Sequence, residues 1–178
     1  YLESSIEHDE IILCDKEKVH HYANVLKLKI KEEVLLLSGT GEQRTYIIKE
    51  LSKKKISLIA TSQIVKIKRK YDISYLIALT KKDALDLMIR SCVELGIKSI
   101  YLVQTKYSQK IKLNLERIDR IITSAMEQSN NPYKVEIVLV ENLMEFNFSA
   151  FKSIYVFDPY HEKAVCSENS TNLVLIGP

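Results

Sequence analysis

Few polar side chains in this sequence are spaced in a way that could do chemistry. His20 and His21 are adjacent, and neighbouring side chains on a helix point apart, so the pair does not make a metal site. His161 follows Asp158-Pro159 without an obvious partner ligand. The four glycines form neither a dinucleotide-binding G-x-G-x-x-G nor a P-loop, and no serine lies in a nucleophile elbow. These patterns disfavour a standard dinucleotide-binding fold and a P-loop NTPase, and they predict no metal.

Positive charge is concentrated in the first third of the chain. The 178 residues carry 26 Lys+Arg and 23 Asp+Glu, for a net charge of +3. Residues 18–70 alone hold 13 basic and four acidic side chains, a net charge of +9. A clustered basic surface attracts phosphate and releases counterions, so nucleic acid is the leading partner class. A solvated, lysine-rich surface without a partner is the alternative that the charge alone leaves open.

Composition places the chain among globular proteins. It is 46% hydrophobic and 28% charged, which favours one or two small cores and argues against disorder. No apolar run approaches the roughly 20 residues that span a bilayer, and no secretory signal opens the sequence. Cys14, Cys92 and Cys166 are far apart and odd in number, as in a reduced, cytoplasmic chain. Because the chain starts at Tyr1 and stops at Pro178 after an apolar run, we expect a short N-terminal and a larger C-terminal piece to be missing.

The first third is predicted to contain one helix followed by short strands. Asp15 can cap a helix that continues to Leu26, with apolar residues at mixed helical spacing. Three strands are expected, at residues 34–37, 45–48 and 56–60. Short strands at this spacing indicate a small barrel or sandwich.

From residue 71 the pattern changes to strands that alternate with helices. One helix is capped by Asp83 and closed by Gly96, a second begins after Asn114, and a short one covers residues 143–148. The apolar stripes of the two long helices are Leu85, Met88, Ile89, Cys92 and Val93, and Leu115, Ile118, Ile122, Ala125 and Met126. Strands are predicted at residues 73–79, 100–103, 135–140, 154–157 and 173–176. This alternation predicts a parallel α/β sheet that is buried on both faces.

The two patterns meet at a basic, poorly patterned linker, residues 66–70. We therefore expect a β-rich domain over residues 1–68 and an α/β domain over residues 71–178. Ligands of open α/β sheets bind beyond the carboxyl ends of the strands. That rule directs attention to four segments, residues 80–83, 104–107, 158–161 and 177–178.

Four motifs follow one another along the chain. They are HHYANVLKL at residues 20–28, LTKKD at 79–83 with VELGI at 93–97, AMEQS at 125–129 with Pro132, and LIGP at 175–178. In this order they resemble the motifs of the RsmE-type 16S ribosomal RNA uridine-N3 methyltransferases of the SPOUT superfamily. The resemblance covers nearly the whole chain, and the ordered set is far more specific than any one motif.

The resemblance implies a fold for each half of the chain. Residues 1–68 would form a PUA-like β-barrel that binds RNA, and residues 71–178 a SPOUT α/β domain that ends in a trefoil knot. The knot would be incomplete in this chain, because the family's continuation of LIGP is absent. Knots are rare among protein folds, and the residue pattern alone predicts only the parallel α/β sheet.

By the same resemblance, the cofactor is S-adenosyl-L-methionine, held by loops of the knot. The residues that match these loops are Phe157, Asp158, Pro159, Ile176, Gly177 and Pro178. Backbone groups in glycine- and proline-rich loops can read the adenine edge, because no large side chain blocks their approach. The acceptor, N3 of a uridine, must lose a proton, and no carboxylate or histidine here is an obvious base, so the catalytic residue is unknown.

The resemblance also assigns an RNA-binding face. The matching residues are His20, His21, Asn24 and Lys27 on the first helix, and Lys81, Lys82 and Arg90 on the strand–helix unit. Lysine and arginine would bind phosphate and fix position instead of reading sequence. The family usually has arginine where this chain has Lys27, Tyr107 and Asn131, and the last two positions lose the charge that would bind RNA.

The leading hypothesis is therefore an S-adenosylmethionine-dependent methyltransferase that modifies N3 of a uridine in 16S rRNA of the small ribosomal subunit. It would act as a homodimer, without a membrane or a metal. The alternatives are a non-catalytic RNA-binding protein of the same fold, or a methyltransferase with another RNA target. A generic α/β nucleotide-binding protein with a basic accessory domain is a third hypothesis.

Overall fold

The chain folds into two compact units, Tyr1–Lys68 and Arg69–Pro178. The structure, a computed structural model, describes residues 6–157 and 171–176. The first unit has an antiparallel sheet and the second a parallel one. None of the helices in these ranges has the length and apolar character that crossing a bilayer requires.

The first unit is built on five strands. They are β1 (Glu10–Leu13), β2 (Glu33–Leu37), β3 (Glu42–Leu51), β4 (Ile56–Ala60) and β5 (Val65–Lys66). Their order is β1-β4-β3-β2, and β5 pairs with the start of β3. The three predicted strands are confirmed. The sequence does not predict β1 or β5, because β1 lies in an acidic segment and β5 is only two residues long.

A hydrophobic core lies between this sheet and the first helix. Alternate residues of β3, Arg44, Tyr46 and Ile48, are buried, as expected for a strand with one face toward a core. The core side chains are Ile6, Leu13, Val19, Tyr22, Val34, Leu36, Tyr46, Ile48, Ile56 and Leu58.

The buried guanidinium of Arg44 holds the segment before β1 against the sheet. It donates hydrogen bonds to the carbonyl oxygens of Glu7 (3.0 Å) and Ser62 (2.9 Å) and to the carboxylate of Asp9. The hydrogen bond with Asp9 raises the pKa of Arg44, so the group stays charged although it is buried. The hydroxyl of Tyr46 donates to a carbonyl of the same segment over 2.8 Å. Each buried polar group here has a partner, which makes its burial tolerable.

The predicted helix after Asp15 is present, but its geometry changes midway. The Asp15 carboxylate accepts a hydrogen bond from a backbone N–H in the first turn (2.9 Å), so Asp15 is confirmed as the N-cap. Helix α1 (Lys16–His20) passes directly into a π-helical segment, His21–Val25. Val19 and Tyr22, which are three residues apart, both lie in the core.

The second unit is a five-stranded parallel sheet, as predicted. Its strands are β6 (Ile73–Ala78), β7 (Ser99–Val103), β8 (Glu136–Val140), β9 (Ser153–Val156) and β10 (Asn172–Ile176). Their order is β8-β7-β6-β10-β9, so the last strand in sequence lies between two earlier ones. The expectation of burial on both faces holds for most of β6, β7 and β10. It is wrong for the outer strands β8 and β9, where Leu139 and Val156 are 48% and 65% exposed.

Helices α2 (Lys82–Glu94) and α3 (Leu115–Ser129) pack against each other in this unit. Their predicted apolar stripes are buried, except that Met88 is half-buried and Leu115 is exposed. Burial of Cys92 raises the pKa of its thiol to about 12, which leaves it protonated and unreactive at neutral pH. One face of the sheet is covered by the aromatic rings of Phe146, Phe148 and Phe151, which pack with Tyr101.

The prediction of one short helix over residues 143–148 is wrong. The segment forms two single 3₁₀ turns, Leu143–Glu145 and Phe148–Ala150, with extended backbone at Phe146 (ψ 128°). The ring of Phe146 lies 5.0 Å from the ring of Tyr101 on the sheet. Tertiary packing of the aromatic side chains therefore overrides the local helical pattern.

The predicted linker over residues 66–70 is also wrong in part. Lys66 belongs to β5, where it is paired with Glu42 at 3.0 Å. Arg69 is anchored in the second unit, because its guanidinium donates to the carbonyl of Gly96 (2.9 Å) and lies 4.2 Å from the ring centroid of Tyr133. Burial lowers the pKa of Arg69.

The two ends of α2 differ from each other in how they are capped. The prediction that Asp83 is the N-cap is wrong, because Lys81 holds that position without a side-chain hydrogen bond. Asp83 lies in the first turn, where its negative charge interacts favourably with the helix dipole. At the other end, Gly96 has a φ of +75°, and the N–H groups of Gly96 and Ile97 donate to carbonyls of the last turn (3.0 and 2.9 Å). This Schellman arrangement confirms Gly96 as the residue that ends the helix.

We expect Gly96→Ala to lower the free energy of unfolding by about 1 kcal/mol, because a left-handed φ penalises any Cβ. A clash with the rest of the fold does not add to this cost, since no atom outside Gly96 and its two chain neighbours lies within 4 Å of the added methyl group. Denaturant unfolding measures the change. The matched control is Asn130→Gly, because Asn130 ends α3 with a φ of +52°. Glycine there should leave stability unchanged or raise it, and equal losses of stability in the two variants would contradict the explanation.

Candidate nucleic-acid interface and ligand pocket

Four of the predicted RNA-binding residues lie on the first helix or just after its π-helical end. All four are exposed: His20, His21, Asn24 and Lys27. The Asn24 amide nitrogen Nδ2 lies 3.0 Å from His20 Nδ1, which links the two side chains across one turn. Val19 and Tyr22 of the same helix pack in the core, so the polar residues of the helix face solvent.

The π-helical segment determines how this surface ends. The N–H of Leu26 donates to the carbonyl of His21, five residues earlier, over 2.9 Å. Lys27 then has a φ of +52°, a left-handed conformation that costs a residue with a side chain roughly 1–2 kcal/mol. π-helical turns occur frequently at functional sites. The left-handed backbone thus lies at an exposed lysine two residues after the π-helical segment.

A cleft of about 750 Å³ lies between this helix and the turn that joins β3 to β4. Its polar lining consists of Lys16, His20 and Asn24 from the helix side and Ser52, Lys53 and Lys54 from the turn. The fold therefore brings His20 and Asn24 together with three lysines. His21 and Lys27 are not part of the cleft lining.

The turn opposite the helix is held by its own hydrogen bonds. Ser52 Oγ accepts hydrogen bonds from the N–H groups of Lys54 (3.3 Å) and Lys55 (3.1 Å). Lys55 pairs with Glu50 at 2.9 Å, and this hydrogen bond raises the pKa of Lys55. Over residues 6–157 and 171–176, neither Lys53 nor Lys54 has a carboxylate partner. The cleft therefore has positive charge that is not neutralised within the described structure.

The sequence does not single out Lys53 and Lys54 as functional, although three consecutive lysines in a turn were an available signal. Only the fold shows that this turn faces the helix. Lysines beside a histidine and an amide can bind phosphate and hydrogen-bond to sugars or bases. The arrangement suits a strand of nucleic acid that follows the cleft.

The other predicted RNA-binding residues lie on α2. Lys81 and Lys82 are exposed at its N-terminus, and Arg90 is exposed two turns later. Within the described ranges none of the three forms an ion pair, whereas Arg117 of α3 pairs with Asp86 of α2. Positive charge at a helix N-terminus is unfavourable. A phosphate would offset that cost, because it is attracted by the lysines and by the free N–H groups of the helix end.

A pocket of about 170 Å³ opens at the carboxyl ends of four parallel strands. The last residue of each strand lines it, namely Ala78, Val103, Val156 and Ile176. The other lining residues are Leu76, Thr105, Leu143, Phe157 and Leu175, so the lining is apolar apart from Thr105. Small-molecule sites usually enclose roughly 300–1,000 Å³, so these residues can hold only part of such a ligand. The described residues contain no group of three or more His, Cys, Asp and Glu side chains placed to bind a metal ion.

The predicted cofactor residues divide into two sets. Phe157 and Ile176 line the pocket. Asp158, Pro159, Gly177 and Pro178 lie outside the described residues. Phe157 is 75% exposed, and its backbone N–H donates to the carbonyl of Leu175 over 3.1 Å. An aromatic ring held at the mouth of a pocket can stack on a flat ligand group.

The two positions that lose the expected positive charge, Asn131 and Tyr107, have different surroundings. Asn131 is half-buried, and its amide donates to the carbonyl of Val93 (2.8 Å) and accepts from the N–H of Tyr133 (3.0 Å). It therefore has a structural role that connects α2 to the chain after α3. Tyr107 is 72% exposed on the loop after β7.

The fold and the two sites define a class of protein, with a basic strand domain followed by an α/β domain with a ligand pocket. Residues 67–178 match the family described as RNA methyltransferase domain, and residues 13–61 match the RNA methyltransferase PUA domain. Because the first match covers more than half of the chain, this protein belongs to that family of RNA methyltransferases. The family resemblance of the four sequence motifs is thereby confirmed.

Curated relatives of this chain are also named as RNA methyltransferases. The chain is 26% identical to the ribosomal RNA small subunit methyltransferase E of Rickettsia conorii, over 100% of this chain and 76% of that protein. It is 30% identical to the ribosomal RNA small subunit methyltransferase E 2 of Borreliella burgdorferi, over 78% of this chain and 60% of that protein. The chain thus spans about three fifths to three quarters of these relatives.

Solved structures establish the fold. The ribosomal RNA small subunit methyltransferase E of Neisseria gonorrhoeae, bound to S-adenosyl methionine, has a TM-score of 0.83 at 18% identity, covering 100% of this chain and 78% of that one. A putative methyltransferase of Legionella pneumophila, in complex with the same cofactor, has a TM-score of 0.80 at 19% identity, covering 99% and 78%. The predicted fold class, a PUA-like strand region followed by a parallel-sheet methyltransferase domain, is confirmed. The trefoil knot stays a prediction.

We expect K53Q/K54Q to weaken binding of single-stranded RNA. The slope of log K against log salt should become shallower by about 1.4, because each phosphate that the protein no longer neutralises contributes roughly 0.7. Fluorescence anisotropy of a labelled RNA at several salt concentrations measures both. The matched control is K49Q/K55Q, which removes the same charge from lysines paired with Glu10 (3.2 Å) and Glu50 (2.9 Å). If both double variants weakened binding equally, net charge and not the cleft would explain the affinity.

Proposed function

We propose that this protein transfers a methyl group from S-adenosylmethionine to ribosomal RNA of the small subunit, with N3 of a uridine as the acceptor. The observation that carries the proposal is the family match over residues 67–178, on a sheet whose strand ends form a ligand pocket. The names of the curated relatives support rRNA as the substrate class. The choice of N3 is supported by the resemblance of the sequence motifs.

The cofactor would lie at the carboxyl ends of β6, β7, β9 and β10. When bound, S-adenosylmethionine supplies an activated methyl group on a sulfonium, so the protein's main task is to orient donor and acceptor. Phe157 would stack on a flat part of the cofactor, while Ile176 and Val103 would contact its apolar portions. Thr105 is the polar residue of the described lining that could donate a hydrogen bond.

Uridine N3 normally carries a proton, which must leave before or during methyl transfer. The described pocket lining contains no carboxylate and no imidazole, so none of these residues is assigned as the base. N3 also lies on the edge that pairs with other bases, so the target must be unpaired or displaced from its helix. The proposed substrate is therefore a uridine that is not base-paired when it reacts.

The basic surfaces would position the RNA. The cleft with Lys16, Lys53 and Lys54 would follow the backbone in the first unit, and Lys81 and Lys82 would bind a phosphate in the second. Such contacts fix the register of the RNA and contribute little to the choice of base. We further infer that the protein is a cytoplasmic homodimer and that it acts on the small ribosomal subunit. This inference rests on the family resemblance.

The function is tested with the full-length protein, S-adenosylmethionine and small ribosomal subunits that lack the modification. After nuclease digestion of the rRNA, mass spectrometry should detect N3-methyluridine. Methylation of another position would contradict the choice of acceptor and leave the class of enzyme intact. Cofactor and RNA binding without any methyl transfer would favour a non-catalytic RNA-binding protein.

The cofactor pocket is tested by Phe157→Ala. We expect this change to weaken S-adenosylmethionine binding by about tenfold, because it removes an aromatic interaction of roughly 0.5–1.5 kcal/mol together with the ring area that the cofactor would cover. Isothermal titration calorimetry measures the affinity. Met144→Ala removes an apolar side chain that is 90% exposed and follows the pocket residue Leu143, so it is the matched control and should bind normally. Equal affinities of the two variants would contradict the assignment of Phe157.

A further inference from the structure

The loop after β7 is ordered by hydrogen bonds and begins at the ligand pocket. Thr105 lines the pocket, and its N–H donates to Ser108 Oγ over 2.8 Å. The N–H of Ser108 donates back to Thr105 Oγ1 (3.2 Å), and the side chain of Gln104 donates to Ser108 Oγ (2.6 Å). The N–H of Gln109 donates to the carbonyl of Leu79, beyond the end of β6 (2.9 Å). The loop is therefore tied to two strand ends that surround the pocket.

This ordered loop presents an aromatic ring to solvent. Tyr107 lies between the two tethered positions and is 72% exposed. Its ring centroid is 5.4 Å from Lys106 Nζ. Exposed aromatic residues on a fixed backbone lose little entropy when a flat ligand stacks on them, because the ring has only two rotatable bonds.

Three exposed lysines accompany the ring, Lys106, Lys110 and Lys112. None of them forms an ion pair within the described part of the chain, whereas lysines elsewhere in the second unit do, such as Lys98 with Asp72 (3.0 Å) and Lys134 with Asp119. Aromatic rings interleaved with unneutralised cations are typical of surfaces that bind single-stranded nucleic acid.

We infer that the loop over residues 104–112 binds a single-stranded RNA segment beside the pocket, with an unpaired base stacked on Tyr107 and phosphates bound by Lys106, Lys110 and Lys112. This inference rests on the proposed function for the identity of the ligand as RNA. Two residues span at most about 7 Å, so a base on Tyr107 and a base at the Thr105 side of the pocket can belong to neighbouring nucleotides.

Stacking is tolerant of base identity, because every base has a π-face. Tyr107 would therefore hold the RNA near the pocket without selecting its sequence. The loop would act as a positioning element that brings the RNA to the cofactor pocket.

The first experiment measures binding of a fluorescein-labelled, uridine-containing single-stranded RNA by anisotropy, without S-adenosylmethionine. We expect Tyr107→Ala to weaken binding by about tenfold, within the range that base stacking contributes, and Tyr107→Phe to bind within about twofold of the parent. The matched control is Tyr71→Ala, because Tyr71 is 48% exposed and also has a lysine, Lys70, 5.0 Å from its ring. It should bind like the parent protein.

Two outcomes would overturn the inference. One is that Tyr107→Ala binds RNA as tightly as the parent, and the other is that Tyr107→Phe weakens binding as much as Tyr107→Ala, which would indicate a hydroxyl hydrogen bond instead of stacking. K106Q/K110Q/K112Q should also reduce the slope of log K against log salt by about 2, at roughly 0.7 per phosphate. An unchanged slope would exclude phosphate binding by these lysines. Because Tyr107 is exposed, its variants should unfold at the parent temperature.

The second experiment locates the RNA by photo-cross-linking with 5-iodouridine in the same oligonucleotide. Cross-links should map to the peptide that contains Tyr107, and cross-links confined to the first unit would overturn the inference.

The methyl-transfer assay separates the two proposals. If transfer is absent but Tyr107→Ala still weakens RNA binding, the proposed reaction fails and the loop site stands. If transfer occurs and Tyr107→Ala leaves both affinity and kcat/KM unchanged, the loop site fails and the reaction stands.

Discussion

The second unit depends on the insertion of β10 between β6 and β9. Leu175 of β10 pairs with Leu76 on one side and with Val156 on the other, so this strand supplies the hydrogen bonds that join the edge strand β9 to the rest of the sheet. Parallel pairing in register also aligns the carboxyl ends of the four strands that line the pocket. A slip of one residue would turn each side chain to the opposite face and dismantle both the pocket wall and the aromatic cluster. The site is therefore a consequence of strand order more than of any single residue.

Electrostatics divides the basic residues into two groups. Lys49, Lys55 and Lys66 of the first unit pair with carboxylates, and Lys55 and Lys66 have raised pKa values because of those pairs. Surface pairs of this kind contribute little stability, but they neutralise charge locally. The lysines of the cleft and of the loop after β7 are exposed and have no such partner in the described residues. Positive charge on these two surfaces is thus not neutralised within the described residues, so a polyanion can bind there.

Sequence patterns predicted the long, periodic elements well and the short or tertiary-dependent ones poorly. The stripes of α2 and α3, the cap at Asn114 and the glycine at the end of α2 follow from local chemistry. β1 and β5 have no distinctive pattern, and the 3₁₀ turns near Phe146 arise from packing against Tyr101. Asp83 is not the cap because the helix begins earlier, with Lys81 at the N-cap position. Of the site residues, the helix face with His20 and Asn24 could be anticipated from the motif, but its partner turn with Lys53 could not.

What the sequence determined by itself is the class of protein. The basic first third indicates a nucleic-acid partner, the alternation of strands and helices predicts a parallel α/β sheet, and the ordered motifs resemble those of an RNA methyltransferase family. These signals are local or additive along the chain, so they survive without coordinates. The tertiary structure alone decided which distant residues meet. Lys53 and His20 line one cleft because the β3–β4 turn lies opposite the helix, and Phe157 and Ala78 line one pocket because β10 pairs with both of their strands. Such contacts depend on strand order and register, which are set by the cooperative burial of the whole core and leave no mark at the individual positions.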